Sequence, residues 1–139
     1  MKKPFKKVYL IDDDPTFNFI TKLMLKKISF ADEIVDYVDA NDALNSLQQN
    51  ISGQKNNLPD LIFLDLNMPG MDGWDFLEYY KALPSEFIQK CKLYILSSSI
   101  DPNDKSRSLS YDCVSDFITK PLALEKVKYI GENNHTVGV

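Results

Sequence analysis

The sequence is poor in most features that would set it apart from ordinary globular chains. No apolar run reaches the roughly 18 residues needed to cross a bilayer, and the N-terminus lacks the apolar core of a secretory signal. The chain is therefore expected to stay in the cytoplasm, away from membranes. Cysteine is scarce: Cys91 and Cys113 fit no CxxC spacing, and His135 is the only soft co-ligand available. Two reduced structural thiols are expected, not a zinc site. Positive charge is in deficit, with a formal net charge of −4. That balance argues against direct nucleic-acid binding, because phosphate backbones are held mainly by clustered Lys and Arg. The basic run Lys2, Lys3, Lys6 and Lys7 reads as the solvated flank of a first strand. Neither GxxxxGK[ST] nor GxGxxG occurs, which disfavours a nucleotide-binding enzyme.

What is present suits one α/β domain. At 139 residues with 44% hydrophobic content, the chain can bury one ordinary core, expected over about residues 7–131, with a flexible tail over 132–139. Apolar runs bounded by turn residues predict strands at Val8–Ile11, Ile34–Val38, Leu61–Leu64, Leu93–Leu96 and Phe117–Ile118. The first, third and fourth are apolar throughout instead of alternating, as strands covered on both faces are. Helical patterns lie between them, at Pro15–Ile28, Asn41–Gln49, Trp74–Leu83, Pro102–Tyr111 and Leu122–Glu132. In the first, Phe17, Ile20, Leu23, Met24, Lys27 and Ile28 follow the 3.6-residue period, which predicts that they face the core. Asp14-Pro15 and Asp101-Pro102 supply an N-cap and a first-position proline. The polar stretch Gln48–Pro59 reads as an extended loop. Five strands alternating with five helices imply a doubly wound parallel sheet.

In such a sheet, ligands bind beyond the carboxyl ends of the strands. The residues expected there are Asp12, Asp13 and Asp14 after the first strand, Asp65 after the third, Ser97, Ser98 and Ser99 after the fourth, and Thr119, Lys120 and Pro121 after the fifth. Asp14 and Asp101 read as helix caps. Crowding Asp12, Asp13 and Asp65 without a cation would cost like-charge repulsion. A hard divalent ion resolves this, and Mg²⁺, which takes few carboxylates and shares its shell with phosphoryl oxygens, suits the set. Most lysines are solvated surface charges, but Lys120 beside this cluster can pair with Asp65 or with a phosphoryl oxygen.

The segments Leu10-Ile11-Asp12-Asp13-Asp14-Pro15, Leu64-Asp65-Leu66-Asn67-Met68-Pro69-Gly70-Met71-Asp72-Gly73, Leu96-Ser97-Ser98 and Lys120-Pro121 together resemble the receiver domain of response regulators. The match in order and spacing runs from Val8 to about Ile130. The resemblance implies a flavodoxin-like fold with strand order 2-1-3-4-5 and a Mg²⁺-dependent phosphoryl-accepting switch in a two-component phosphorelay. It implies Asp65 as phosphoacceptor, Asp12, Asp13 and Asp65 as metal ligands with the Asn67 carbonyl, and Lys120 as the cation on the phosphoryl group. Ser97 is implied as the switch hydroxyl, with Ser98 as the alternative one residue on, and Phe117 as the aromatic that moves with it. The implied partners are a histidine kinase or histidine phosphotransfer protein upstream and another protein downstream, since no output domain is expected. Such a domain is not an enzyme in the ordinary sense, catalysing only its own phosphorylation and dephosphorylation. A Mg²⁺-dependent phosphatase with an Asp nucleophile would need a cap or substrate pocket, and the fold already uses every long segment. A degenerate receiver acting only as a binding module fits the intact acidic set and Lys120 less well.

Overall fold

The computed structural model describes residues 3–53 and 55–133. Lys2, His135 and the tail from 134 onward lie outside the described residues. The strands are β1 (Phe5–Ile11), β2 (Ala31–Tyr37), β3 (Leu61–Leu64), β4 (Lys92–Ser97) and β5 (Val114–Thr119). The helices are α1 (Pro15–Lys27), α2 (Ala40–Ser52), α3 (Gly73–Tyr80), α4 (Ser85–Lys90), α5 (Pro102–Leu109) and α6 (Leu124–Asn133), with a 3₁₀ turn at Lys55–Asn57. The strands form one sheet in the order β2-β1-β3-β4-β5, and every pairing is parallel. The expected topology is thus found. No helix among the described residues is long and apolar enough to cross a membrane.

The continuously apolar runs occupy the three central strands. Val8, Tyr9, Ile11 and all four residues of β3 are fully buried. One face of the sheet packs Tyr9, Ile62, Leu64, Leu93 and Ile95 against Leu44 and Leu47 of α2 and Phe76, Leu77 and Tyr80 of α3. The other packs Val8, Leu10, Leu61 and Phe63 against Leu25 of α1 and Val127 and Ile130 of α6. At the opposite end from the carboxyl edge, the Asp60 carboxylate accepts from the backbone N–H groups of Lys6 and Lys7 at 2.9 and 3.0 Å, tying β1 to the start of β3. The edge strand β2 carries Asp32, Glu33 and Asp36, with Lys7–Glu33 at 3.8 Å and Lys22–Asp36 at 3.2 Å. The other edge, β5, carries Asp116, paired with Lys126 at 3.1 Å.

Four expectations need correction. Six α-helices replace five among the described residues, because Ser85–Lys90 forms a short helix after Pro84. Pro84 ends the preceding helical pattern in sequence, yet its carbonyl accepts from Phe87 and Ile88, and Phe87 buries itself beside Tyr80. The expected loop Gln48–Pro59 is partly helical: α2 continues to Ser52, anchored by Ile51 packing on the core. The tail expected from 132 is helical at its start, since α6 ends at Asn133, one residue beyond the expected Glu132; at Gly131 a Cβ would meet Pro4 Cγ at 3.2 Å. Finally, α1 is rotated from the expected orientation: Phe17, Met24 and Ile28 pack on the core as expected, but Ile20, Leu23 and Lys27 do not. Its buried residues are Asn18, Thr21 and Leu25, with Phe17, Met24 and Ile28 flanking, whereas Ile20 and Leu23 are 61% and 53% exposed and Lys27 is exposed. The cause is polar: the Asn18 amide must reach the backbone at the end of β1, and this sets the helix's rotation.

Candidate functional site

The acidic triplet divides its work at the end of β1. Asp12 is buried; its N–H donates to the Tyr37 carbonyl at 3.0 Å and its own carbonyl accepts from Asn18 Nδ2 at 2.8 Å. Both backbone groups are satisfied within the protein, as burial requires. Asp13 is more open to solvent. Asp14 is the expected N-cap, accepting from the N–H groups of Thr16 and Phe17 at 3.0 and 3.2 Å, with Pro15 in the first helical position. Asp101 caps α5 in the same way, through Asn103 N–H at 2.9 Å.

Asp65 follows β3, 5% exposed, and its N–H donates to the Ile11 carbonyl at 2.9 Å, which aligns it with the end of β1. The loop beyond it is held close. Gly73 N–H donates to Leu66 O at 2.9 Å, and a Cβ on Gly73 would collide with the Asp65 carbonyl and lie 2.7 Å from Leu66 Cα. Only glycine lets α3 begin this near the site. Asn67 is exposed on this loop, and its N–H reaches Asp65 Oδ1 at 3.5 Å.

From the other half of the sheet come a cation and a hydroxyl. Lys120 N–H donates to the Ser97 carbonyl at 2.8 Å, which seats Lys120 directly beyond β5; the Lys120–Pro121 peptide is cis. Its ammonium lies 2.6 Å from Asp12 Oδ2 and 3.7 Å from Asp65 Oδ1. Ser97 is fully buried and its Oγ accepts from Ser99 N–H at 3.1 Å, while Ser98 is exposed. Phe117 sits deeper, opposite Ile95 in the β4–β5 pairing, and is packed into the core that lies under α2 and α3.

Carboxylate oxygens of Asp12, Asp13 and Asp65 fall within 4.8 Å of one another. Burial, and then the nearby Asp12 charge, push the Asp65 carboxyl up from 3.8 to about 6, with Lys120 opposing them. One ammonium does not neutralise three carboxylates, so the cluster remains short of positive charge. An all-oxygen donor set of this size fits a hard divalent cation such as Mg²⁺.

The structure therefore brings together Asp12, Asp13, Asp65, Asn67, Lys120 and Ser97, and places Phe117 one layer inward. Sequence reasoning missed three contributors. Asn18 acts through a contact to the Asp12 carbonyl that has no sequence signature, and Gly73, visible only as the end of the receiver-like segment, through a close backbone approach that spacing does not encode. Phe17, whose ring centroid lies 4.4 Å from Lys120 Nζ, was legible only as a member of the helix's apolar pattern.

Comparison with known proteins agrees with this fold. The chain is 30% identical over 129 residues to the two-component response regulator ARR11 of Arabidopsis thaliana, covering 91% of this chain and 22% of that protein. A two-component response regulator from Cytophaga hutchinsonii superimposes with a TM-score of 0.87 at 28% identity, covering 97% and 99% of the two chains. The Mn²⁺-bound form of the response regulator Rcp1 superimposes with a TM-score of 0.68 at 24% identity, covering 92% and 91%. Residues 8–130 match the response regulator receiver domain model. That span holds every strand end that builds the acidic edge, and the chain belongs to the response regulator receiver domain family, whose general function is that of a phosphoryl-accepting signalling switch.

Proposed function

We propose that Asp65 is the phosphoacceptor of this receiver and that a histidine kinase or histidine phosphotransfer protein is its donor. In the transfer, an Asp65 carboxylate oxygen attacks phosphorus, the bond from phosphorus to the donor's imidazole nitrogen breaks, and the electron pair leaves with that nitrogen. Asp12, Asp13 and Asp65, with the Asn67 carbonyl, would hold Mg²⁺, which when bound neutralises charge on the transferring group. Lys120 supplies the second positive charge, placed on a phosphoryl oxygen. Water attack on phosphorus breaks its bond to the Asp65 oxygen, releasing inorganic phosphate and the free carboxylate, so the protein catalyses only its own phosphorylation and dephosphorylation.

The observation that carries this reading is the meeting of buried Asp65 with Asp12, Asp13 and the Lys120 ammonium at one sheet edge. Ser97 is the switch hydroxyl: it is the buried one, and turning from Ser99 N–H toward a phosphoryl oxygen gives it a charged acceptor. The space it leaves is open to Phe117, whose rotation would alter the surface formed by α5, β5 and α6 and present it to a downstream protein. Treatment with Mg²⁺ and acetyl phosphate, followed by intact mass measurement, tests the assignment. One alkali-labile phosphoryl group is expected in the parent and none in Asp65→Asn; undiminished labelling of Asp65→Asn would rule Asp65 out.

A further inference from the structure

Lysine presents a charge on a flexible four-carbon stem, so an ammonium that must meet a phosphoryl oxygen needs walls as well as counter-ions. In this site two of its neighbours are carboxylates, and the shorter contact, 2.6 Å, is to Asp12 and not to Asp65. Any cation taken up by Asp12 competes for that contact. The third neighbour is of another kind: the Phe17 ring, with its centroid 4.4 Å from Lys120 Nζ.

Phe17 is fixed by the same segment that makes the site. It stands three residues beyond the Asp14 cap and donates its own N–H to Asp14 Oδ1 at 3.2 Å. The next residue, Asn18, ties the helix to the Asp12 carbonyl, and the Phe17 ring packs on the core beneath α1 and α6. An aromatic face attracts a cation through its quadrupole, independently of the charge state of the carboxylates. Lys120 is only 19% exposed at its side chain, so this attraction acts where water screens it little.

We propose that Phe17 is a positioning residue for phosphoryl transfer, its ring holding the Lys120 ammonium at the mouth of the site when Asp12 is engaged elsewhere. The proposal rests on the assignment of Asp65 and Lys120 given above. An aliphatic side chain at 17 would keep the packing and lose the attraction, leaving the ammonium to swing toward solvent once Asp12 is engaged.

The test compares Phe17→Leu with Phe17→Tyr, which keeps the π face. In the metal-free protein, NMR of the Lys120 ε-methylene protons should show an upfield ring-current shift in the parent and in Phe17→Tyr, and its loss in Phe17→Leu. With Mg²⁺ and acetyl phosphate, Phe17→Leu should accept the phosphoryl group about threefold to thirtyfold more slowly, as loss of a shielded cation–π contact implies. Phe17→Tyr should recover most of the rate. Equal rates in parent and Phe17→Leu, or an unmoved Lys120 shift, overturn the positioning role while the functional assignment stands. A parent that takes up no phosphoryl group overturns the functional assignment instead, while the NMR comparison still decides the ring contact.

Discussion

The two halves of the carboxyl edge are built differently. On the β1–β3 side, the charged groups follow strand ends that are buried on both faces, Val8–Ile11 and Leu61–Leu64, and their backbone is pinned by Asn18, Tyr37, Ile11 and Gly73. On the β4–β5 side, the strand pairing shifts register at Leu93 and Tyr94, Ser97 Oγ accepts the N–H of Ser99 from within its own turn, and Ile100 just beyond is 91% exposed. One half holds carboxylates at fixed spacing against their mutual repulsion. The other sets a buried hydroxyl, Ser97, and a core-packed aromatic, Phe117, on one pair of strands. A chemical centre needs the first property; under the proposed function the second pair would carry the response, while Lys120 reaches back to the centre from the end of β5.

Breaking the rigid half should have the largest consequences. Asp13→Ala should weaken Mg²⁺ binding by at least the roughly 10–100-fold that loss of even an outer-shell partner costs; calorimetric titration checks this, and unchanged affinity would remove Asp13 from the metal site. Gly73→Ala should destabilise the protein by about 2–4 kcal/mol, since the new methyl meets backbone on both the Asp65 and Leu66 sides. Urea denaturation reads that loss, and a neutral outcome would show that the Asp65 loop is slacker than its packing implies.

A smaller effect follows from charge crowding. In the metal-free protein the Asp65 carboxyl is held up at about 6 against an ordinary 3.8, so the folded state binds that proton more tightly than the unfolded chain. Asp65's contribution to stability is therefore greatest at low pH, falls as pH rises between those two values, and remains lost above them. Asp65→Asn should raise the stability of the metal-free protein by about 1–3 kcal/mol at pH 7.5 and by much less at pH 4. Thermal melts at both values sharpen the comparison; equal gains would show that crowding is not the source.

The responsive half should yield the smallest change in stability and the clearest change in coupling. Ser97→Ala removes one turn contact and should cost no more than about 1 kcal/mol. It should also uncouple α5 and β5 from the site: beryllofluoride should shift amide resonances of residues 102–130 in the parent and much less in the variant. Equal shifts in both would show that the signal leaves the site without Ser97.

Strand identity was legible because doubly covered strands must be apolar throughout, and Asp12, Asp65 and Lys120 were legible because strand ends in this topology converge. The rotation of α1 was not legible. Its inward face is set by Asn18 and Thr21, and a count of apolar residues favoured Ile20 and Leu23, which the structure leaves in solvent. Helix α4 escaped notice because its start, Pro84, makes no side-chain cap and its length is only six residues. The partner of Lys120 was half legible: proximity to the acidic set could be inferred, but the closer approach to Asp12 than to Asp65, and the ring of Phe17 behind it, depend on distances that spacing does not encode.

The carboxylates on the outer strands have a further effect. An open sheet offers unpaired backbone groups along β2 and β5, and a second copy could in principle extend it strand against strand. Asp32, Glu33 and Asp36 line one such margin and Asp116 marks the other, so self-association through either margin would bring like charges face to face. Charged side chains along an open margin are one of the devices that disfavour pairing with a second copy of the same strand.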